Sequence, residues 1–143
     1  MIRVAKLTDY GIALMTRLAQ GPAGSVTARD LAEALGLPLP TVSKLLKLLA
    51  RQELLHSQRG AKGGYTLARP AEAITLAELV GALEGPVAVT ECAADAGCTC
   101  GLEPICDVRD NWGWINRQVM NALEGVTLRQ MAGSLAGKQG RRS

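Results

Sequence analysis

The run ECAADAGCTCGLEPIC, Glu91 to Cys106, contains all four cysteines of a 143-residue chain: Cys92, Cys98, Cys100 and Cys106. Thiols grouped in this way support three chemistries: a disulfide staple, a zinc knot or an iron-sulfur site. The compartment bears on the choice. The opening MIRVAKLTDYG carries Arg3, Lys6 and Asp9 and no long apolar run, which predicts neither a secretion signal nor a membrane-spanning segment. The expected location is cytoplasmic, where a reducing medium keeps thiols free and favours metal ligation or redox chemistry over disulfides. Spacing then bears on the metal. The gaps between successive cysteines are five, one and five residues, with no Cys-x-x-Cys pair. Structural zinc sites commonly use close knuckle pairs, and redox dithiols favour the same spacing, so both lose ground. A single loop with wider intervals can instead wrap a larger, thiolate-held iron-sulfur cluster. A zinc-stabilised DNA-binding protein and a small iron-sulfur redox protein stay open as alternatives.

Other chemistry is thin. The single histidine, His56, lies far from the cysteines in sequence and reads as a surface or packing residue. A cysteine nucleophile would need a nearby base, and the segment contains no histidine. No Gly-rich phosphate loop and no paired carboxylates stand out, so the expectation is a protein that is not an enzyme. Hydrophobic residues at 48% and charged residues at 20% predict a folded globular chain. The net charge of +3 is too mild to indicate nucleic acid by itself, so the distribution of cations decides. Aromatic residues at 3% argue against the stacking platforms of single-strand binders.

The elements that would position these residues follow from periodicity. A first helix is expected from Thr8 to Ala19, capped by Thr8 or Asp9, with Ile12, Leu14, Met15 and Leu18 inward. Thr27 and Asp30 open a second, short helix that Gly36 closes. A third starts at Thr41 behind Pro38 and Pro40, with Val42, Leu45, Leu46 and Leu49 on its apolar face. Thr41, Ser43, Lys44, Lys47 and Arg51 occupy the other face. Two short helices around a Gly-containing turn, the second with a basic face, make a helix-turn-helix. Residues 54–59 and 65–68 read as strands joined by a Gly-rich link, a hairpin placed as a wing. Its Arg59 and Lys62 would reach phosphates or the minor groove of double-stranded DNA, and Thr27 joins the candidate DNA contacts.

A fourth helix, Thr75 to Leu83, turns Leu76, Leu79, Val80 and Leu83 inward and stops at Gly85-Pro86. After the cysteine loop, a long helix from about Asp107 to Leu123 carries Val108, Trp112, Ile115, Val119 and Ala122 at alternating four- and three-residue steps. Such a seam fits a partner helix, and a second copy of the chain is the expected partner. A last helix, Thr127 to Leu135, precedes a basic tail. The expected fold class is mostly α with a small β-wing. Its expected parts are a winged helix-turn-helix over 1–84, a cysteine loop over 85–106, dimerisation helices over 107–135 and a disordered tail over 136–143.

Taken together, LTDYGIALMTRLA, ARDLAEALGLPLPTVSKLLKLLARQELLHSQRGAKGGYTLARP and the cysteine loop before a long helix resemble the Rrf2 family of winged-helix regulators over roughly residues 1–135. The run CGLEPICDVRDNWGWINR is similar to that of regulators of the SUF iron-sulfur assembly system. The resemblance implies a homodimer that reads operator DNA and carries a 2Fe-2S or 4Fe-4S cluster tuning its affinity. It places Thr41, Ser43 and Lys44 opposite bases and matches Arg59 to the family's wing arginine. Cys92, Cys100 and Cys106 match the three-cysteine pattern, which leaves Cys98 as an extra thiol. IscR-like members carry a ligand histidine where this chain has Arg109, whereas NsrR-like members take an aspartate from the partner's first helix, a position matched by Asp9. Two ligand sets therefore stand side by side: four cysteines, or three cysteines with Asp9. Asp9 also has a plain role as a helix-start carboxylate.

Overall fold

A computed structural model of the chain describes residues 3–21, 24–60, 63–90, 93, 101, 105 and 107–133. Along these residues run α1 (Lys6–Gln20), α2 (Ala28–Leu35), α3 (Leu39–Arg51), β1 (Leu55–Gln58) and β2 (Gly64–Leu67). A 3-10 turn at Ala71–Ala73, α4 (Leu76–Glu84), α5 (Arg109–Glu124) and α6 (Leu128–Ala132) follow. Leu14 and Met15 of α1, Leu31 of α2, and Val42, Leu46 and Leu49 of α3 form one core with Leu55, Ile74, Leu79 and Leu128.

Local signals set most of these boundaries. The Thr27 hydroxyl accepts from the Asp30 N–H at 3.1 Å and starts α2, and Gly36 ends it in the left-handed conformation, φ 66°. Helix α3 begins two residues before the expected Thr41, because Pro40 fits a first turn whose N–H groups have no helical partner. The start of α1 departs further. Its N-cap is Ala5, and neither Thr8 nor Asp9 caps it: Thr8 is buried inside the helix and Asp9 is exposed in the first turn. The capping acceptor comes from elsewhere in the chain, since the Ala5 N–H donates to Glu84 Oε1 at 2.6 Å from the end of α4.

Strands β1 and β2 pair antiparallel with Leu55 opposite Leu67 and Gln58 opposite Gly64. A third backbone segment joins them: Val26 N–H donates to Tyr65 O at 3.0 Å and Tyr65 N–H to Val26 O at 2.8 Å. The hairpin is thereby fastened to the residue before the Thr27 cap of α2.

Helices α4 and α6 both begin in capping boxes, Thr75 with Glu78 and Thr127 with Gln130. These two starts lie side by side. Leu76 N–H donates to Val126 O and Leu128 N–H to Ile74 O, each at 2.8 Å. Arg129 reaches Glu72 Oε1 at 2.9 Å and the Ala19 carbonyl at 3.1 Å. Helix α6 ends at Ala132, short of the expected Leu135, and packs on α1 with Leu128 fully buried. Helix α6 thus packs on α1, while α5 touches the rest of the chain chiefly at α4.

Helix α5 has no buried residue. Trp112, Ile115 and Val119 are half-buried, Ala122 is exposed, and Val108 precedes the helix, which packs in part on α4. Trp114 is 57% exposed and Val108 48%, two large apolar side chains open to solvent on and just before this helix. Among the described residues, no helix is long and apolar enough to cross a membrane.

Candidate nucleic-acid interface and cysteine segment

Helix α3 is amphipathic, and its two faces do different work. Val42, Leu45, Leu46 and Leu49 are buried, which fixes the rotation of the helix on α2. The same rotation turns Lys44, Lys47 and Arg51 to solvent, with Thr41 and Ser43 half-exposed beside them. Spacings of three, four and seven place the three cations on one stripe. No acidic residue occupies the first turn of α3 to offset them. A groove beside this stripe is lined by Leu7, Ser43, Lys44, Lys47, Leu48 and Leu83.

The other expected contacts are distributed around α3. Arg59 is exposed immediately after β1, and Lys62 lies outside the described residues. Thr27 is exposed but its hydroxyl already serves as the α2 cap. His56 is exposed on β1 opposite Thr66. Arg29, exposed in the first turn of α2, adds a cation beyond those expected from the sequence. The available signal was its place two residues after the Thr27 cap.

Two carboxylates hold the frame behind this surface. Burial pushes the Glu78 carboxyl up, but the Thr75 N–H and the Arg69 guanidinium at 2.9 Å outweigh it and keep the group below the usual glutamate range. Glu72 is lowered by a backbone hydrogen bond and by Arg129.

The candidate ligands Cys92, Cys98, Cys100 and Cys106 lie outside the described residues. Among the described residues, no group of three His, Cys, Asp or Glu side chains could hold a metal. Asp9 is described, exposed on α1 in a shallow groove with Arg3, Lys6 and Glu84. Arg109 opens α5. The structure does show what frames the segment. Asn116 of α5 accepts from Val89 N–H at 2.9 Å and donates from Nδ2 to the Val87 carbonyl at 3.3 Å. Four thiols between that clamped backbone and α5 are a donor set that suits a thiolate-held cluster.

Comparison with known proteins agrees with the winged-helix fold. A family model for Rrf2, described as an iron-dependent transcriptional regulator, matches residues 4–134. The protein rrf2 of Nitratidesulfovibrio vulgaris is 31% identical over 128 residues, 89% of this chain and 85% of that protein. The structure of IscR from T. potens superposes with a TM-score of 0.73 at 26% identity, covering 99% of this chain and 94% of that one. CymR, the global cysteine regulator of B. subtilis, superposes with a TM-score of 0.73 at 26% identity over 92% and 97% of the two chains. With a winged helix that presents a basic recognition face, and with the family match spanning nearly all of its length, the chain belongs to the Rrf2 family of transcriptional regulators.

Proposed function

We propose that this regulator is a homodimer that senses iron-sulfur status through Cys92, Cys98, Cys100 and Cys106 and controls SUF cluster-assembly genes. The observation that carries the reading is the position of the thiols in the chain. They fall between a basic winged helix and α5, a helix with no buried residue that is tied by Asn116 to the start of their segment.

Cys92, Cys100 and Cys106 would hold the cluster, with Cys98 or the partner's Asp9 completing the set. When bound, the cluster supplies an oxidant-sensitive thiolate linkage across the segment. The chain's own residues do the rest. Thr41, Ser43 and Lys44 address base edges from α3, while Lys47, Thr27, Arg59 and Lys62 meet the backbone or minor groove. Two copies joined along α5 set the spacing of two α3 helices, which must match half-sites one turn of DNA apart, about 34 Å. A change in the cysteine segment alters that spacing and hence the fit.

Anaerobic purification tests the reading. The protein should be brown, with iron and sulfide bound, and Cys92→Ala, Cys100→Ala and Cys106→Ala should each abolish the visible absorption. Cys98→Ala and Asp9→Ala then identify the remaining ligand by which of them loses the cluster. A colourless protein with stoichiometric zinc would replace sensing with zinc stabilisation. DNA recovered by binding selection should include promoters of SUF genes; their absence would remove that target.

A further inference from the structure

Asn116 is a polar residue set among the half-buried apolar residues of α5, with Ile115, Val119 and Leu123 around it. Both ends of its amide are engaged: Oδ1 accepts from Val89 N–H and Nδ2 donates to the Val87 carbonyl. In extended backbone, the carbonyl of one residue and the N–H two residues on point to the same side. One amide therefore holds both a carbonyl and an N–H of residues 87–89 at once. The two bonds span 27 and 29 residues, and the chain between their ends contains all four cysteines. Val87 and Val89 also line one groove with Val119 and Leu123 of α5, so the two bonds add a fixed register to an apolar contact.

We propose that Asn116 is the positioning residue that couples the thiol segment to α5. The inference rests on the sensing function proposed above and assigns its transmission point. The clamp fixes where the segment leaves the winged helix relative to the second turn of α5, so a rearrangement between Cys92 and Cys106 bears on α5 directly. The asymmetry of the amide adds a requirement. Aspartate at position 116 would still accept from Val89, but it would set an oxygen against the Val87 carbonyl.

The test compares full-length wild type, Asn116→Leu and Asn116→Asp, each purified anaerobically with its cluster and again after stripping by chelator. DNA affinity is measured in both forms, together with hydrogen exchange at the Val89 amide and thermal melting. Wild type should show a loaded-to-stripped affinity ratio away from unity, in the range of about 5- to 150-fold usual for coupled sites. Asn116→Leu should bind cluster with an unchanged visible spectrum, expose the Val89 amide to exchange, and bring the ratio to within about twofold of one. Asn116→Asp, which keeps one bond, should fall between the two and serves as the readout if the leucine variant melts too low to assay. A purely structural role would lower melting and leave the ratio intact. A wild-type ratio in a variant whose Val89 amide exchanges freely would overturn the proposal, as would fast Val89 exchange in wild type, with sensing left standing. A wild-type protein with a ratio of one would overturn both the sensing reading and this inference.

Discussion

Replacing Gly64 by alanine tests the joint between wing and recognition helices. Gly64 sits at φ 154°, and a Cβ there would lie 2.7 Å from Val26 O and 2.8 Å from Val26 C. Those are backbone atoms and cannot swing aside as a side-chain end could. The variant has two ways to respond. It can keep the register and bear strain of about 1–3 kcal/mol. It can instead release the Val26–Tyr65 pair and lose two backbone hydrogen bonds, at about 0.5–1.5 kcal/mol each. The two routes match, so the expected loss is about 1–3 kcal/mol whichever is taken. Against a total stability of about 5–15 kcal/mol the fold survives. The melting temperature should drop by roughly 2–4 °C per kcal/mol for a chain of this size. DNA binding should weaken by about tenfold, the equivalent of one displaced contact near the wing. Gly81→Ala is the control: the same chemical change in the interior of α4, with nothing within 4 Å of the new Cβ, should stabilise. Its expected gain is about 0.5–1 kcal/mol, from a restricted unfolded chain and higher helix propensity. Urea unfolding and DNA titration read both variants. A Gly64→Ala protein with unchanged stability and affinity, or two glycine variants shifted in the same direction, would refute the reasoning.

Arg59→Ala should weaken DNA binding and reduce the slope of log affinity against log salt by about one; an unchanged slope would remove Arg59 from the phosphate contacts. Ile115→Glu places a charge in the α5 seam and should give a monomer by analytical ultracentrifugation at micromolar concentration, and a persistent dimer would move the interface elsewhere. Because the Glu78 carboxyl is held below its ordinary value of 4.5, the stability it contributes is present above that value and is lost as pH falls through the lowered one. Glu78→Gln should therefore differ most from wild type in thermal melts at neutral pH and converge with it on acidification; a gap that widens in acid would contradict the assignment.

The helix-turn-helix was legible because its signals are local. Thr27, Gly36 and the four apolar positions of α3 act within a few residues, and each took the role its spacing implies. Where the sequence misled, the cause was a partner far along the chain. The start of α1 is set by Glu84, 79 residues away, so no cap could be read between Ala5 and Asp9. The pairing of Val26 with Tyr65 of β2 went unread, because register across 39 residues leaves no periodic trace. Thr127 was correctly placed at a helix start, but its bridge to Thr75, which returns α6 to the core, depends on tertiary packing. The apolar seam of α5 was visible at four- and three-residue spacing, and in the single chain Trp112, Ile115 and Val119 are only half-buried. The candidate DNA contacts and the thiols were read from residue type alone, because the groups proposed to meet them are not part of the chain and leave no periodicity in it.

The attachments of α5 also limit how it can move. Its 16 residues make a rod of about 24 Å at 1.5 Å per residue. At the C-terminal end, sliding along the axis would break the Leu76–Val126 and Leu128–Ile74 bonds and pull fully buried Leu128 from the core. Tilting about that end keeps those bonds while shifting the contacts with α4 and the clamp at 87–89. Tilt is therefore the cheaper motion, and about 5° of it carries the far end through about 2 Å, the size of displacement by which interface helices commonly switch. The far end is the one the chain enters from Cys106, and the fixed end is fused to the winged helix. In a dimer joined along α5, a tilt imposed at the cysteine end changes the angle between the two winged helices while leaving each internally unchanged. A regulator wired this way can alter its fit to DNA without remaking its recognition helix.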